Sequence, residues 1–137
     1  MKFDVSDKIN KADEELIFKG LLEYNLTRIE DKNPKDLAIY LRDEDKKIIA
    51  GLIGNTHGNW LTIKYLWVSE ALRGKYIGSD ILRRAEEEAI GRGCKYVFLD
   101  TFSFQAPKFY RKHGYKEKFV LEEYPLEGKR YYFTKEL

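Results

Sequence analysis

Hydrophobic residues recur along this chain at two spacings, which predict strands in its middle and helices on either side. Apolar and polar residues alternate over 37–42, an apolar run covers 48–53, and an aromatic and β-branched run covers 60–68. These three segments predict strands. A charged turn follows the first segment, and residues 55–59, rich in glycine and asparagine, form a turn after the second. Connections this short predict three antiparallel strands.

The strongest helical pattern follows the third strand. Ile81, Leu82, Ala85 and Ala89 recur at helical spacing, while charged residues, including the glutamates at 86–88, cover the other side and are expected to be solvated. Two glycines end this helix, and residues 96–100 predict a short buried strand. The order strand, helix, strand predicts one crossover unit with a parallel pair of strands.

Weaker patterns lie on both sides of these elements. Residues 12–25 predict one or two short helices with a break near Gly20. Towards the other end, Pro107 opens a short helix that Gly114 closes, and residues 115–123 and 130–137 predict a hairpin. The predicted fold class is therefore α/β with mixed strand directions (α+β).

Composition narrows the class of protein. The chain has 137 residues, 43% of them hydrophobic, which predicts a single domain over residues 1–137 with a sizeable core. The net charge is +2 with acidic and basic residues interleaved, so no nucleic-acid partner is indicated. No apolar run reaches the length of a membrane span, and the first ten residues lack the apolar core of a signal peptide. We therefore expect a cytoplasmic protein without a membrane partner.

A glycine loop joins the third strand to the strongest helix. It reads Arg73-Gly74-Lys75-Tyr76-Ile77-Gly78-Ser79. A strand that points at a helix N-terminus directs several unpartnered backbone N–H groups, and the positive end of the helix dipole, at one place. Such a place can bind phosphate, and Arg73 adds charged donors to it.

Three segments together resemble the GNAT superfamily of acyl-coenzyme A dependent N-acetyltransferases, over nearly all of residues 37–137. The segment YLWVSEALRGKYIGSDIL is similar to the family's fourth strand, pyrophosphate loop and third helix, and GCKYVFLDT is similar to its fifth strand. Residues 106–115, APKFYRKHGY, resemble its closing helix motif, in which an alanine, a Phe-Tyr pair and a Gly-aromatic pair keep fixed offsets. The resemblance implies a mostly antiparallel, GNAT-like central sheet of about six or seven strands with one parallel crossover pair and about four helices.

The resemblance also implies an activity: transfer of the acetyl group of acetyl-CoA to the primary amine of a small molecule, without a metal. Strand backbone would pair with the pantetheine arm, the loop would hold the pyrophosphate, and a serine would contact the arm. A homodimer is one option for the assembly. The implied cofactor-binding residues are Leu66, Trp67, Val68, Arg73, Gly74, Lys75, Tyr76, Ile77, Gly78, Ser79 and Ser103.

Tyr110 is the candidate acid, because a phenol with an ordinary pKa of about 10 stays protonated beside a thiol with a pKa of about 8.5. Several relatives carry a glutamate on the fourth strand, but here the stretch 62–64 reads Thr, Ile, Lys. Asp100 is therefore the first candidate for the base, acting through water, and Glu23 is the second. A turn-capping role for Asp100 is equally open. The candidates for the acceptor pocket are Tyr24, Asn25 and Tyr124, and a core-facing position for Tyr24 is equally open.

One position departs from the family's loop pattern, which is Arg or Gln, two residues, Gly, one residue, then Gly or Ala. Tyr76 stands at the first glycine position. A tyrosine does not readily adopt a positive φ angle, so we expect Gly74 to supply flexibility and the phenol to point outward.

This departure and the absent strand glutamate leave two other functions open. One is a non-catalytic sensor of acyl-CoA or another phosphorylated ligand, and the other is a structural interaction domain.

Overall fold

The structure is a computed structural model of the chain, and it describes residues 1–31 and 33–137. The chain divides into two compact units, Met1–Lys32 and Asn33–Leu137. The single acetyltransferase domain over residues 1–137 stays a prediction. No helix within the described ranges is long and apolar enough to span a bilayer.

The first unit contains one helix, α1 (Lys11–Leu26). Asn10 precedes it, and the Asn10 Oδ1 atom accepts a hydrogen bond from the Asp13 backbone N–H at 3.0 Å. This bond satisfies one of the free N–H groups at the start of the helix. The helix continues through Gly20, so the predicted break there is wrong. A single glycine in a helix costs only about 1 kcal/mol, which the rest of the 16-residue helix outweighs.

The second unit is built on a six-stranded sheet. Its spatial order is β1-β2-β3-β4-β6-β5, and every neighbouring pair is antiparallel except β3 and β4. The predicted sheet, with its parallel crossover pair, is thus confirmed; there are three α-helices in the described residues rather than about four, together with a short 3₁₀ turn, Glu70–Leu72. The remaining elements are β1 (Lys35–Arg42), β2 (Ile48–His57), β3 (Trp60–Val68), α2 (Ile77–Gly91), β4 (Tyr96–Phe102), α3 (Pro107–Lys112), β5 (Lys116–Leu121) and β6 (Arg130–Glu136).

The main core lies between α2 and the sheet. The four apolar residues that predicted this helix are all buried, and they belong to one cluster with Leu52, Leu61, Val97 and Phe133 from four strands. These four residues are fully buried. Because α2 is fixed by this packing, the position of its N-terminus relative to the end of β3 is also fixed.

One glutamate of the predicted solvated group behaves differently. The Glu86 side chain is only 13% exposed, and its carboxylate accepts hydrogen bonds from the Tyr115 hydroxyl at 2.7 Å and from Lys135 Nζ at 3.0 Å. Burial and the neighbouring Glu86 charge raise the pKa of Tyr115. The expectation of solvation is wrong for Glu86, because β6 and the residue immediately before β5 bring two donors to that side of α2. It is right for Glu87 and Glu88, which are 61% and 54% exposed.

The parallel strands β3 and β4 separate after a short pairing. They pair only from Trp60 with Tyr96 to Thr62 with Phe98, although β3 continues to Val68. The pairing of β2 with β3 skips Lys64, which is a β-bulge. Bulges bend a strand and increase its local twist, so this one accounts for the divergence. Beyond Thr62, no strand of the described residues pairs with the edge of β3 that faces β4.

Candidate cofactor and catalytic site

A cavity of about 740 Å³ lies at the divergence of β3 and β4. The end of β3, the glycine loop, the first turn of α2, and α3 with the segment before it line this cavity. The predicted site residues that line it are Leu66, Trp67, Val68, Arg73, Gly74, Tyr76, Ile77, Gly78, Ser79 and Tyr110. The structure therefore brings together the predicted strand, most of the predicted loop and the predicted acid.

The loop has the backbone geometry of an anion site. Gly74 has a φ angle of +80° and Tyr76 has a φ angle of +64°, and α2 begins directly after Tyr76. No side chain caps the N-terminus of α2, so its first N–H groups, which lack intrahelical acceptors, are left for another partner. Together with the helix dipole, these donors suit a phosphate group.

Tyr76 adopts the conformation that we expected it to avoid. Its φ and ψ angles of 64° and 15° are left-handed, the region that a glycine would occupy at this position of the family pattern. Its side chain is 73% exposed, in agreement with the expected outward orientation, and Lys112 Nζ lies 5.9 Å from its ring centroid. The ring adds to the rim of the cavity and leaves the backbone of the loop in the form that glycine would give.

The Arg73 side chain is partly used within the loop. Its Nε atom donates to the Val68 carbonyl oxygen at 3.2 Å, which ties the guanidinium to the end of β3. Arg73 also lines the cavity. A guanidinium has five N–H donors, so this bond leaves donors for an anion.

The start of α2 packs closely against α3. A Cβ atom at Gly78 would lie 3.5 Å from Phe109 Cζ, which is ordinary van der Waals contact. The Phe109 and His113 rings are 4.6 Å apart, and Ser79 Oγ lies 2.8 Å from His113 Nε2. Sequence reasoning missed His113, Phe109 and Lys112 as residues of this cavity. The signal for the first two was their i,i+4 spacing, which places both side chains on one face of a helix.

Tyr110 has the properties of a persistent proton donor. Its side chain is 7% exposed, and burial, with the nearby negative charge of Asp100, raises the pKa of Tyr110 to about 12. Among the described residues, no buried side-chain oxygen or nitrogen lacks a hydrogen-bond partner, and the Tyr110 hydroxyl makes no hydrogen bond there. The hydroxyl must therefore be accessible to solvent, and Tyr110 lines the cavity.

Four predicted residues of this unit are not among those that line the cavity. Asp100 accepts a hydrogen bond from Arg130 Nε at 2.7 Å through its Oδ2 atom, and Arg130 Nη1 donates to the Tyr124 hydroxyl at 3.0 Å. Ser103 Oγ accepts from the Lys129 backbone N–H at 3.3 Å. The remaining one is Lys75. The predicted acceptor residues Tyr24 and Asn25 belong to the first unit.

The residues described in the structure include no group of three or more histidines, cysteines, aspartates or glutamates arranged to hold a metal ion. The cavity instead offers backbone amides, an arginine, a serine–histidine pair and a phenol. This set of donors fits a phosphorylated ligand with a reactive end near Tyr110.

Comparison with known proteins agrees with this geometry. The Acetyltransferase (GNAT) family model matches residues 7–115. An acetyltransferase of Agrobacterium fabrum is 37% identical over 115 residues, which cover 84% of this chain and 84% of that protein. The blasticidin-S acetyltransferase of Streptomyces morookaense is 35% identical over 101 residues, 73% of this chain and 74% of that protein. The crystal structure of an Agrobacterium tumefaciens acetyltransferase aligns with a TM-score of 0.94 at 34% identity, covering 100% of both chains.

Proposed function

This chain belongs to the GNAT acetyltransferase family, and we propose that it transfers the acetyl group of acetyl-CoA to the primary amine of a small molecule. GNAT acetyltransferases use acetyl-CoA as the acetyl donor. The similarity to an enzyme named for blasticidin-S supports a small molecule as the acceptor. The single observation that carries the proposal is the unpartnered edge of β3 beside a cavity that also contains the glycine loop and Tyr110.

The cofactor would bind along this edge in two parts. The backbone of Leu66, Trp67 and Val68 pairs with β2 on one side only, so its other side can pair with the pantetheine arm like a strand. The N–H groups at the start of α2 and the side chains of Arg73 and Ser79 would receive the diphosphate. The cavity extends from this loop to Tyr110, and this extent supports a thioester end near the phenol.

The reaction balances as a direct transfer. The neutral amine attacks the thioester carbonyl, the C–N bond forms, and the tetrahedral intermediate collapses with cleavage of the C–S bond. Tyr110, whose pKa of about 12 keeps it protonated at neutral pH, donates a hydrogen bond that stabilises the departing sulfur. The nitrogen releases one proton to solvent through the base, and the thiolate takes up one proton from solvent.

Asp100 remains our candidate for the base, acting through a water molecule. The hydrogen bond from Arg130 uses Oδ2, so Oδ1 is the oxygen that would accept from this water. The Asp100 charge has a second effect, since it contributes to the raised pKa of Tyr110 and so helps to keep the phenol protonated. Tyr124 is proposed to contact the acceptor, and the assignment of Tyr24 and Asn25 to the acceptor pocket stays a prediction from the sequence.

Thiol release from acetyl-CoA, measured against a panel of primary amines that includes blasticidin-S, tests the proposal. The Tyr110→Phe variant should lower kcat by about 100-fold, a magnitude typical of general acid catalysis. Its dissociation constant for coenzyme A, measured by calorimetry, should stay within about two-fold of the original, because the substitution removes one hydroxyl. Tyr96→Phe is the matched control, because Tyr96 packs on Trp60 at the opposite end of β3.

Three results would contradict the proposal in different ways. Equal kcat for Tyr110→Phe and the parent protein would remove Tyr110 from the acid role. Tight binding of acetyl-CoA without turnover of any amine would favour the non-catalytic sensor. If neither acetyl-CoA nor coenzyme A raises the melting temperature, both the acetyltransferase and the non-catalytic sensor are excluded. A ligand that binds the folded state must raise its melting temperature.

A further inference from the structure

Building on the proposed function, we infer that His113 is a positioning residue for the cofactor: its Nε2 atom donates a hydrogen bond to Ser79 Oγ and thereby turns the serine hydroxyl hydrogen toward the diphosphate. Three observations carry this inference. They are the 2.8 Å contact between the two side chains, their shared position on the wall of the cavity, and the place of Ser79 in the first turn of α2.

The direction of the hydrogen bond follows from what a serine hydroxyl can do. A hydroxyl has one hydrogen to donate and two lone pairs that accept. If Ser79 donated to His113, its lone pairs would face the incoming diphosphate and repel it. If His113 donates to Ser79, the serine hydrogen is free to bind a phosphate oxygen. An anion at this place therefore selects the arrangement in which the histidine is the donor.

The surroundings hold His113 in the required place. The Phe109 ring packs on the imidazole with centroids 4.6 Å apart, and the His113 backbone N–H donates to the Phe109 carbonyl oxygen at 3.2 Å. The Gly78 position contacts the same phenyl ring, so α2 and α3 meet directly beside the pair. His113 thus connects the end of α3, the helix that contains the candidate acid, to the start of α2, where the diphosphate would bind.

A double-mutant cycle with coenzyme A tests the inference. Calorimetry should give a dissociation constant about ten-fold weaker for His113→Leu, the expected loss when a charge-assisted hydrogen bond can no longer be oriented. Ser79→Ala should weaken binding by a similar factor, and the double variant should be no weaker than the weaker single variant. His113→Gln, whose amide can donate to Ser79, should restore most of the affinity. In turnover assays the loss should appear mainly in the KM for acetyl-CoA.

The controls separate this inference from the proposed function. His57→Leu makes the same substitution at the far end of β3 from the loop, where His57 pairs with Trp60, and should leave the affinity for coenzyme A unchanged. If His113→Leu does not fold, His113→Asn replaces it, since the shorter amide does not reach Ser79. Unchanged affinity in the His113 variant, or fully additive losses in the cycle, would overturn the inference alone. Failure of the parent protein to bind coenzyme A would overturn the proposed function as well.

Discussion

Replacement of Tyr76 tests the most unusual feature of the loop, a tyrosine in the left-handed region immediately before α2. The informative comparison is between Tyr76→Gly and Tyr76→Ala, because both remove the ring and only one removes the strain. An L-residue other than glycine pays about 1–2 kcal/mol to adopt this conformation. Glycine avoids that cost but loses about 0.5–1 kcal/mol through the greater freedom of the unfolded chain. The glycine variant should therefore be more stable than the alanine variant by about 0.5–1 kcal/mol.

The ring itself contributes little to this comparison. Tyr76 is 73% exposed, so its removal uncovers little apolar surface. Its interaction with Lys112 is at the surface and is worth about 0.5 kcal/mol, which both variants lose equally. Relative to the parent protein, Tyr76→Gly should be nearly neutral, and Tyr76→Ala should be slightly less stable.

Thermal unfolding followed by circular dichroism measures the difference directly. For a domain of this size, a change of 1 kcal/mol shifts the melting temperature by about 4 °C, so the two variants should differ by about 2–4 °C. Tyr76→Asn should lie close to the glycine variant, since asparagine tolerates the left-handed region. Equal melting temperatures for the alanine and glycine variants would refute the assignment of a strained backbone at this position. Coenzyme A should bind both with equal affinity if the loop keeps its shape.

Two further predictions concern stability elsewhere in the second unit. A Cβ atom at Gly54 would collide with the Thr62 carbonyl oxygen beside the bulge, so Gly54→Ala should lower the free energy of unfolding by about 2 kcal/mol or more in urea titrations. Gly91 has open space around it, so Gly91→Ala should not lower it. Equal stability of the two variants would contradict the close approach at Gly54. Glu86→Gln should lower the free energy of unfolding by about 1–3 kcal/mol, because the half-buried Lys135 is left without its counter-charge. Glu87 is exposed, so Glu87→Gln should leave the melting temperature nearly unchanged. The same shift of the melting temperature in both variants would refute a special role for Glu86.

The predictions that held rest on local rules. The helical spacing of four apolar residues predicted α2. Pro107 predicted the start of α3, and Gly114, which has a φ angle of +87°, predicted its end. The position of the glycine loop between a strand and a helix was predicted because a strand, small residues and a strong helix follow one another within a few positions. Each of these signals is contained in a short window of sequence, so no knowledge of distant contacts was needed.

The predictions that failed depend on neighbours far away in sequence. Glu86 looks identical to Glu87 in the helical pattern, and only Tyr115 and Lys135, 29 and 49 residues further on, make it different. His113 was not predicted as a residue of the cavity, because its contact with Ser79 spans 34 residues. The break predicted at Gly20 is wrong for another reason. One glycine costs a helix little, and the other positions of α1 favour its continuation.

Tyr76 shows why a departure from a family motif does not by itself remove the backbone conformation that the motif provides. What the loop has at this position is a left-handed backbone conformation, and glycine is the residue that adopts it at the lowest cost. The packing of α2 on the sheet fixes where the helix begins, and the end of β3 fixes where the strand stops. The short connection between them then imposes the left-handed turn at a cost of about 1–2 kcal/mol, small beside the burial of the four apolar residues of α2. The family's sequence pattern therefore names the residue that adopts the left-handed turn at the lowest cost, while the turn itself is required by the positions of β3 and α2.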